Sequence, residues 1–198
     1  MFIYLKSINF LLISLIVILL NGCSSTNMKD FENKTPKLNL FEFFKGETVA
    51  YGIFEDRFGK LRRQFRVKIK GSVEENTLTL DEKFIYDDGE KATRIWKIKK
   101  INENNNLIKY EGSAEDVEGL AKGTSVGNAL NWTYDIYLNI KGSNLKVKFN
   151  DWIYKQDSNV AINRAYVSKF GIDIGSVTLV FLKGQTAKTV SPLNINSW

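Results

Sequence analysis

Only two prolines occur in this chain, Pro36 and Pro192, and between them apolar and polar residues alternate through one segment after another. That pattern excludes most folds. Proline removes a ladder hydrogen bond and is confined to strand edges, whereas a period of two places every second side chain on one face of a pleated strand. Leu61, Arg63, Phe65, Val67 and Ile69 alternate with Arg62, Gln64, Arg66, Lys68 and Lys70, which predicts a half-buried strand with a basic outer face. Leu78, Leu80, Glu82, Phe84 and Tyr86 repeat the pattern and run into Asp87-Asp88-Gly89, a hairpin signal. Arg94, Trp96 and Ile98 share one face of the next strand. Trp132, Tyr134, Ile136, Leu138 and Ile140 line another, closed by Lys141-Gly142-Ser143. Leu145, Val147, Phe149 and Ile153 line a further one, where Asp151 interrupts the apolar side. Residues 160–169 and 172–183 complete the series. With residues 47–57, 107–114 and a short piece near Glu118, nine or ten strands are expected. Only the opening of the body, residues 38–44, fits a helical turn, ending at Gly46. Short successive connections predict an all-β antiparallel meander. Closure into a barrel removes its edges best, and a β-sandwich is the alternative.

The two ends read differently. Lys6 precedes an apolar run of 11 residues, Phe10 to Leu20, followed by Gly22-Cys23-Ser24-Ser25. A membrane span needs about 20 apolar residues, so residues 1–22 read as a signal peptide. Leu20-Asn21-Gly22-Cys23 resembles the lipobox of bacterial lipoproteins, which implies cleavage before Cys23 and acylation of that cysteine. Ser24 stands where an aspartate would resemble an inner-membrane retention signal, so an outer-membrane anchor with the domain facing the periplasm is expected. Residues 23–37 then form the lipidated cysteine and a polar tether, residues 38–183 the barrel, and residues 184–198 a tail.

Composition narrows the chemistry. There is no histidine, which removes the commonest general base and metal ligand. Cys23 is the one cysteine, so neither an intramolecular disulfide nor a cysteine-based zinc site is available. The whole chain has 28 basic and 22 acidic side chains; losing Lys6 leaves 27 against 22, a net charge of +5. The basic residues alternate with acidic ones and form no nucleic-acid motif, so no nucleic-acid partner is expected. No cofactor or metal is expected either. Gly123-Thr124-Ser125-Val126-Gly127 has the spacing of a serine-hydrolase elbow, but that motif needs a strand-to-helix turn and a histidine. A glycine-rich stretch between strands is the expected reading. The carboxylate clusters Glu115, Asp116, Glu118 and Asp87, Asp88, Glu90 lack the ligand spacing of a calcium loop.

Three pairs of polar residues and aromatics stand out as candidate ligand or barrel-interior sites: Arg94 with Trp96, Asp151 with Trp152, and Arg164 with Tyr166. Buried charge is costly unless paired. Either an inward arginine binds a ligand carboxylate or phosphate while aromatics line its chain, or an Arg–Asp pair closes one barrel end. The abundance of aromatics, 13 Phe, 8 Tyr and 4 Trp, leaves it open whether the interior is packed solid.

Several short pieces carry a family resemblance over residues 38–181. They are Tyr51-Gly52 with Asp56-Arg57-Phe58-Gly59, Phe84-Ile85-Tyr86-Asp87-Asp88-Gly89, Arg94-Ile95-Trp96, and Tyr110-Glu111-Gly112 with Ala114-Glu115-Asp116-Val117. Gly127-Asn128-Ala129-Leu130 before Trp132 and Tyr134, Asp151-Trp152, Asn163-Arg164 and Lys169-Phe170-Gly171 complete them. Together they resemble an uncharacterised family of proteobacterial lipocalin-like lipoproteins, a domain of unknown function often encoded near cyclopropane-type fatty-acid modification genes. The resemblance implies a lipid-related task. The expected function is a membrane-anchored barrel that binds or carries a fatty-acyl lipid or phospholipid without catalysis. A packed scaffold barrel is the first alternative. A lipid-acting enzyme, which needs a carboxylate of raised pKa in a cleft, is the second.

Overall fold

A computed structural model describes residues 26–104, 106–140, 143–190 and 193–198. The expected signal peptide, Cys23, the Lys141-Gly142 turn and Pro192 lie outside the described residues. Ten strands follow one another: β1 (Gly46–Asp56), β2 (Leu61–Glu74), β3 (Thr77–Tyr86), β4 (Lys91–Asn104), β5 (Leu107–Ser113), β6 (Val117–Val126), β7 (Ala129–Ile140), β8 (Ser143–Lys155), β9 (Val160–Lys169) and β10 (Ile172–Lys183). Each pairs antiparallel with its neighbour in sequence, and β10 pairs with β1, from Thr48 opposite Lys183 to Asp56 opposite Gly175, so the sheet is a closed barrel. The meander and its closure are therefore as expected.

Alternation sets the facing. Opposed residues of an antiparallel ladder share a face. Phe65 opposite Tyr86, Glu82 opposite Arg94, Leu80 opposite Trp96, Trp132 opposite Asp151 and Leu130 opposite Ile153 all face inward. The basic face of β2 looks outward, where Arg62 pairs with Asp56 at 2.6 Å and the Arg66 guanidinium lies 4.3 Å from the Trp198 ring centre. The C-terminal segment thus returns along that face, and the tail expected from Gly184 onward opens with helix α2 (Gly184–Val190).

One end of the barrel is plugged. Helix α1 (Leu40–Phe44) is capped by the Asn39 side chain, which accepts from the Phe41 amide at 3.0 Å, and it buries Leu40, Phe43 and Phe44. The Phe44 ring meets Phe181 edge-on at 5.1 Å, and the Leu40 amide donates to the Tyr110 hydroxyl at 3.3 Å. Gly71 is required here, because a Cβ would sit 1.8 Å from the Phe44 carbonyl oxygen. Within the segment expected as a polar tether, Phe31 packs against Trp152 and Tyr154, with ring centres 6.0 and 5.7 Å away. Among the described residues no helix is long and apolar enough to cross a membrane.

Candidate functional site

The barrel is not packed solid. A cavity of about 490 Å³ runs from the plug at Leu40 and Phe44 to the rim at Arg63, Asp116, Leu138 and Leu145. It survives the large interior aromatics because small residues face them. A Cβ on Gly112 would stand 2.8 Å from the Trp132 ring, and one on Gly123 would stand 2.2 Å from it. Trp132 lies flat over this glycine floor, with Trp96 edge-on at 5.6 Å. Ala165 and Asn163 keep the inward face of β9 small.

Most of the lining is apolar, with Phe65, Val67, Ile69, Leu130, Leu179 and Phe181 among its walls, and polar groups collect within it. Arg94 of β4 donates to Asp116 at 2.5 Å, and Glu82 lies opposite it on β3. Tyr134, Glu82 and Asp116 surround the guanidinium and outweigh burial, so Arg94 stays charged with a pKa above its ordinary value. Asp151 of β8 accepts from Asn163 Nδ2 at 2.7 Å. Burial pushes the Asp151 carboxyl up to about 6, against the opposing pull of Asn163, the Tyr134 hydroxyl and Arg94. Glu82 makes no hydrogen bond or ion pair among the described residues. Burial pushes its carboxyl up to about 7, Arg94 pulls it down, and Asp116, Asp151 and Asp81 push it further up. Tyr134 is held well above its ordinary value, first by burial and then by Asp151. At the rim, Arg63 lies 3.5 Å from the Tyr86 ring centre and pairs with Asp88 at 2.8 Å and Glu90 at 2.5 Å.

Buried polar atoms are normally satisfied. Six buried side-chain atoms have no protein partner among the described residues, and four of them, Arg63 Nε, Asp116 Oδ1, Asp151 Oδ2 and Asn163 Oδ1, belong to residues lining this cavity. The arrangement offers an apolar slot with unused acceptors, the Arg94 guanidinium inside and that of Arg63 at the rim, and two carboxyl groups able to donate as well as accept near neutrality.

Of the six residues singled out from the sequence, Arg94, Trp96 and Asp151 line the cavity. The interior reading is corrected for Trp152, Arg164 and Tyr166. Because Asp151 points inward, Trp152 points outward, where Phe31 covers it. Arg164 lies opposite Trp152 and Thr178 on that outer face, donating to Thr178 Oγ1 at 2.7 Å and pairing with Glu55 at 3.4 Å. Tyr166 is exposed. Glu82, Tyr134, Asp116 and Asn163 were missed as site residues. Glu82 had a legible signal, since it breaks an otherwise apolar face just as Asp151 does. Asn163 had none, for it flanks the arginine that draws attention.

The remaining motifs resolve as structure. Ser125 is buried on β6, its hydroxyl donating to the Leu38 carbonyl at 2.5 Å with the Ala129 carbonyl at 3.2 Å. Glu118 pairs with Lys146, and Asp88 and Glu90 with Arg63. Among the described residues no group of three His, Cys, Asp or Glu side chains is placed to hold a metal ion.

The family model described as a protein of unknown function, DUF3833, matches residues 17–183. No curated protein matches the chain in sequence. Among solved structures, the S-type phycobiliprotein lyase of Guillardia theta is similar, with a TM-score of 0.55 at 8% identity over 81% of this chain and 98% of that one. Identity that low carries the fold alone, a lipocalin-like barrel. The relative is nevertheless named a lyase, an enzyme, so the expectation of a protein without catalysis is corrected: this architecture supports enzymes.

Proposed function

We propose that the chain, which belongs to the DUF3833 family, holds an acyl lipid inside its barrel while anchored to the cell envelope through acylated Cys23. The observation that carries the reading is the cavity of about 490 Å³, apolar for most of its wall and polar around Glu82, Arg94 and Asp151. Ligand sites are typically about 300–1,000 Å³ with a few placed polar groups in an apolar lining. The acyl chain lies along the apolar wall. The polar part of the lipid meets Arg94 and the two titratable carboxyl groups. Three carboxyl groups, Glu82, Asp116 and Asp151, surround one guanidinium, so an uncharged ester, amide or hydroxyl is preferred there over a free carboxylate.

The test uses the domain exported without its lipidated cysteine. Organic extraction and mass spectrometry identify any stoichiometric lipid, and the stripped protein is titrated with fluorescent acyl esters and fatty acids. Arg94→Ala is expected to weaken binding about tenfold, in line with the loss of a hydrogen bond from a charged group. Arg164→Ala, on the outer face, leaves it unchanged. Absence of both co-purified lipid and saturable binding would sink the proposal. The anchor is tested separately by metabolic labelling with palmitate, which must label the wild type and not Cys23→Ser. Outer-membrane attachment predicts that the labelled protein fractionates with outer and not inner membranes.

A second reading has its own support in Glu82, whose carboxyl is poised near neutrality beside Arg94 and Tyr134 with no hydrogen bond among the described residues. That is the state a general acid–base group requires. Under it, recovered ligand differs chemically from supplied ligand, and Glu82→Gln retains binding while abolishing the change. Unaltered ligand after prolonged incubation would argue against it.

A further inference from the structure

At the end opposite the plug, two hairpin tips stand side by side because β10 closes onto β1. The β1–β2 turn carries Phe58, 82% exposed, and the β9–β10 turn carries Phe170, 92% exposed with a φ of +52°. The Arg57 amide donates to the Ile174 carbonyl at 3.0 Å and ties the two turns together. Asp56 fixes the first turn by accepting from the Phe58 and Lys60 amides at 2.9 and 3.1 Å. Both rings are therefore held out on ordered hairpins instead of folding back over the barrel. Leu61 and Ile172, also exposed, flank them. Soluble surfaces scatter single apolar residues, but paired protruding aromatics on a rim mark a contact.

The charges nearest this pair are mostly basic. The Arg57 guanidinium lies 5.1 Å from the Phe58 ring centre and the Lys169 ammonium 5.2 Å from that of Phe170, with Lys60 in the same turn as Phe58. Asp56 is neutralised by Arg62, which leaves Asp173 as the acidic neighbour. Next around the rim, the β3–β4 and β5–β6 turns carry Asp87, Asp88, Glu90, Glu115 and Asp116, of which Asp88 and Glu90 pair with Arg63 and Asp116 with Arg94. The basic charge of the rim is thus gathered at its two aromatic tips. Phe54 and Ile174, directly below the aromatic side, belong to the cavity lining.

We infer that the rim at Phe58 and Phe170 docks onto an anionic lipid bilayer, inserting both rings at the head-group level and bringing the cavity mouth against the membrane. Aromatic rings with flanking Lys and Arg are the composition of interfacial insertion, where apolar burial and attraction to anionic head groups add. This contact is separate from the Cys23 anchor and does not depend on which ligand the cavity holds.

The barrel, its plug and its core are built from residues 38–183, so the chain beginning at Ser24 folds without the leader and isolates the rim from lipid anchoring. That chain is floated with phosphatidylcholine vesicles and with vesicles also containing phosphatidylglycerol. Flotation is expected with the anionic vesicles, falling as salt is raised. Phe58→Ser with Phe170→Ser is expected to weaken it at least about tenfold, since each ring buried is worth roughly that factor. Ile95→Ser, on the outer wall and 54% exposed, is expected to float like the wild type. Flotation is read on protein stripped of any cavity lipid, so failure of the lipid-carrier reading and failure of this inference are distinguishable. Failure of the wild type to float with anionic vesicles overturns the inference, as does equal flotation of the double variant. A wild type that instead forms a dimer abolished by the double variant overturns it in favour of a protein interface.

Discussion

Glu82→Gln is the substitution whose effect follows most directly from the interior. Glu82 lies on the inward face of β3, opposite Arg94, with its carboxyl pushed by burial from an ordinary 4.5 to about 7. An acid with a raised folded-state pKa binds its proton more tightly when folded. Its contribution is therefore fully present below about 4.5 and is lost as pH rises towards about 7, beyond which the penalty stays constant. At about 1.4 kcal/mol per pH unit, the interval from 4.5 to about 7 amounts to about 3 kcal/mol. Glutamine keeps the shape and cannot ionise. The stability difference, variant minus wild type, should be level below pH 4.5, climb by about 3 kcal/mol up to pH 7, and level again above it. Asp151 titrates in both proteins and cancels to first order. For a domain of this size, about 2–4 °C per kcal/mol gives a gain in Tm of roughly 6–12 °C at pH 8. Thermal unfolding followed by circular dichroism in steps from pH 4 to pH 9 measures the curve. A difference that stays flat across that range would show that water in the cavity hydrates the carboxylate fully, and the burial argument would fail.

Two further substitutions probe the scaffold. Ser125→Ala leaves the Leu38 carbonyl short of its donor inside the plug, so urea unfolding should show a loss of about 1–3 kcal/mol with lipid binding intact; a loss of function at unchanged stability would revive the hydrolase reading. Gly123→Ala drives a Cβ into the Trp132 ring, and the shift of that ring is expected to cost about 1–3 kcal/mol and to alter ligand uptake. A variant with wild-type stability and uptake would mean that the glycine floor does not hold the cavity open.

Most of the fold was legible because a barrel strand states its facing in its own sequence. Arg63 to Ile69 and Trp132 to Leu138 alternate cleanly, and the structure turns those sides inward, whereas Leu61, beyond a shift in register against β1, is left exposed. Asp151 was legible for the same reason: it occupies an apolar register, and the ladder keeps it there opposite Trp132. Arg164 was misplaced because β9 alternates weakly. Its inward positions are Ala161, Asn163, Ala165 and Val167, small residues whose value lies in the space they leave, which no hydrophobic pattern displays. The cavity was hidden for a related reason. Aromatic content counts what fills an interior, whereas the volume here depends on Gly112, Gly123 and Ala165 lying beside Trp132 on the neighbouring strands. The docked Phe31 was equally unreadable, since a single ring in a polar stretch has no periodicity.

The interior charge also decides between the two uses first considered for an inward arginine. A guanidinium placed to capture a ligand carboxylate works best with its charge unspent, and Arg94 is already paired with Asp116 and flanked by Glu82. A guanidinium that merely closes a barrel end needs one partner and no cavity beside it. Arg94 instead lies beside about 490 Å³ of space, with Asp151 Oδ2, Asn163 Oδ1 and Asp116 Oδ1 all without a hydrogen-bond donor among the described residues. Excess acceptors around one donor group favour a ligand that itself donates hydrogen bonds or carries no negative charge. Raising pH from 6 to 8 ionises Glu82 and Asp151 and deepens that preference, since their values lie near 7 and 6. The structural role and the binding role are thus carried by the same residue: Asp116 holds Arg94 in place, and the carboxyl groups around it select the polar end of what enters.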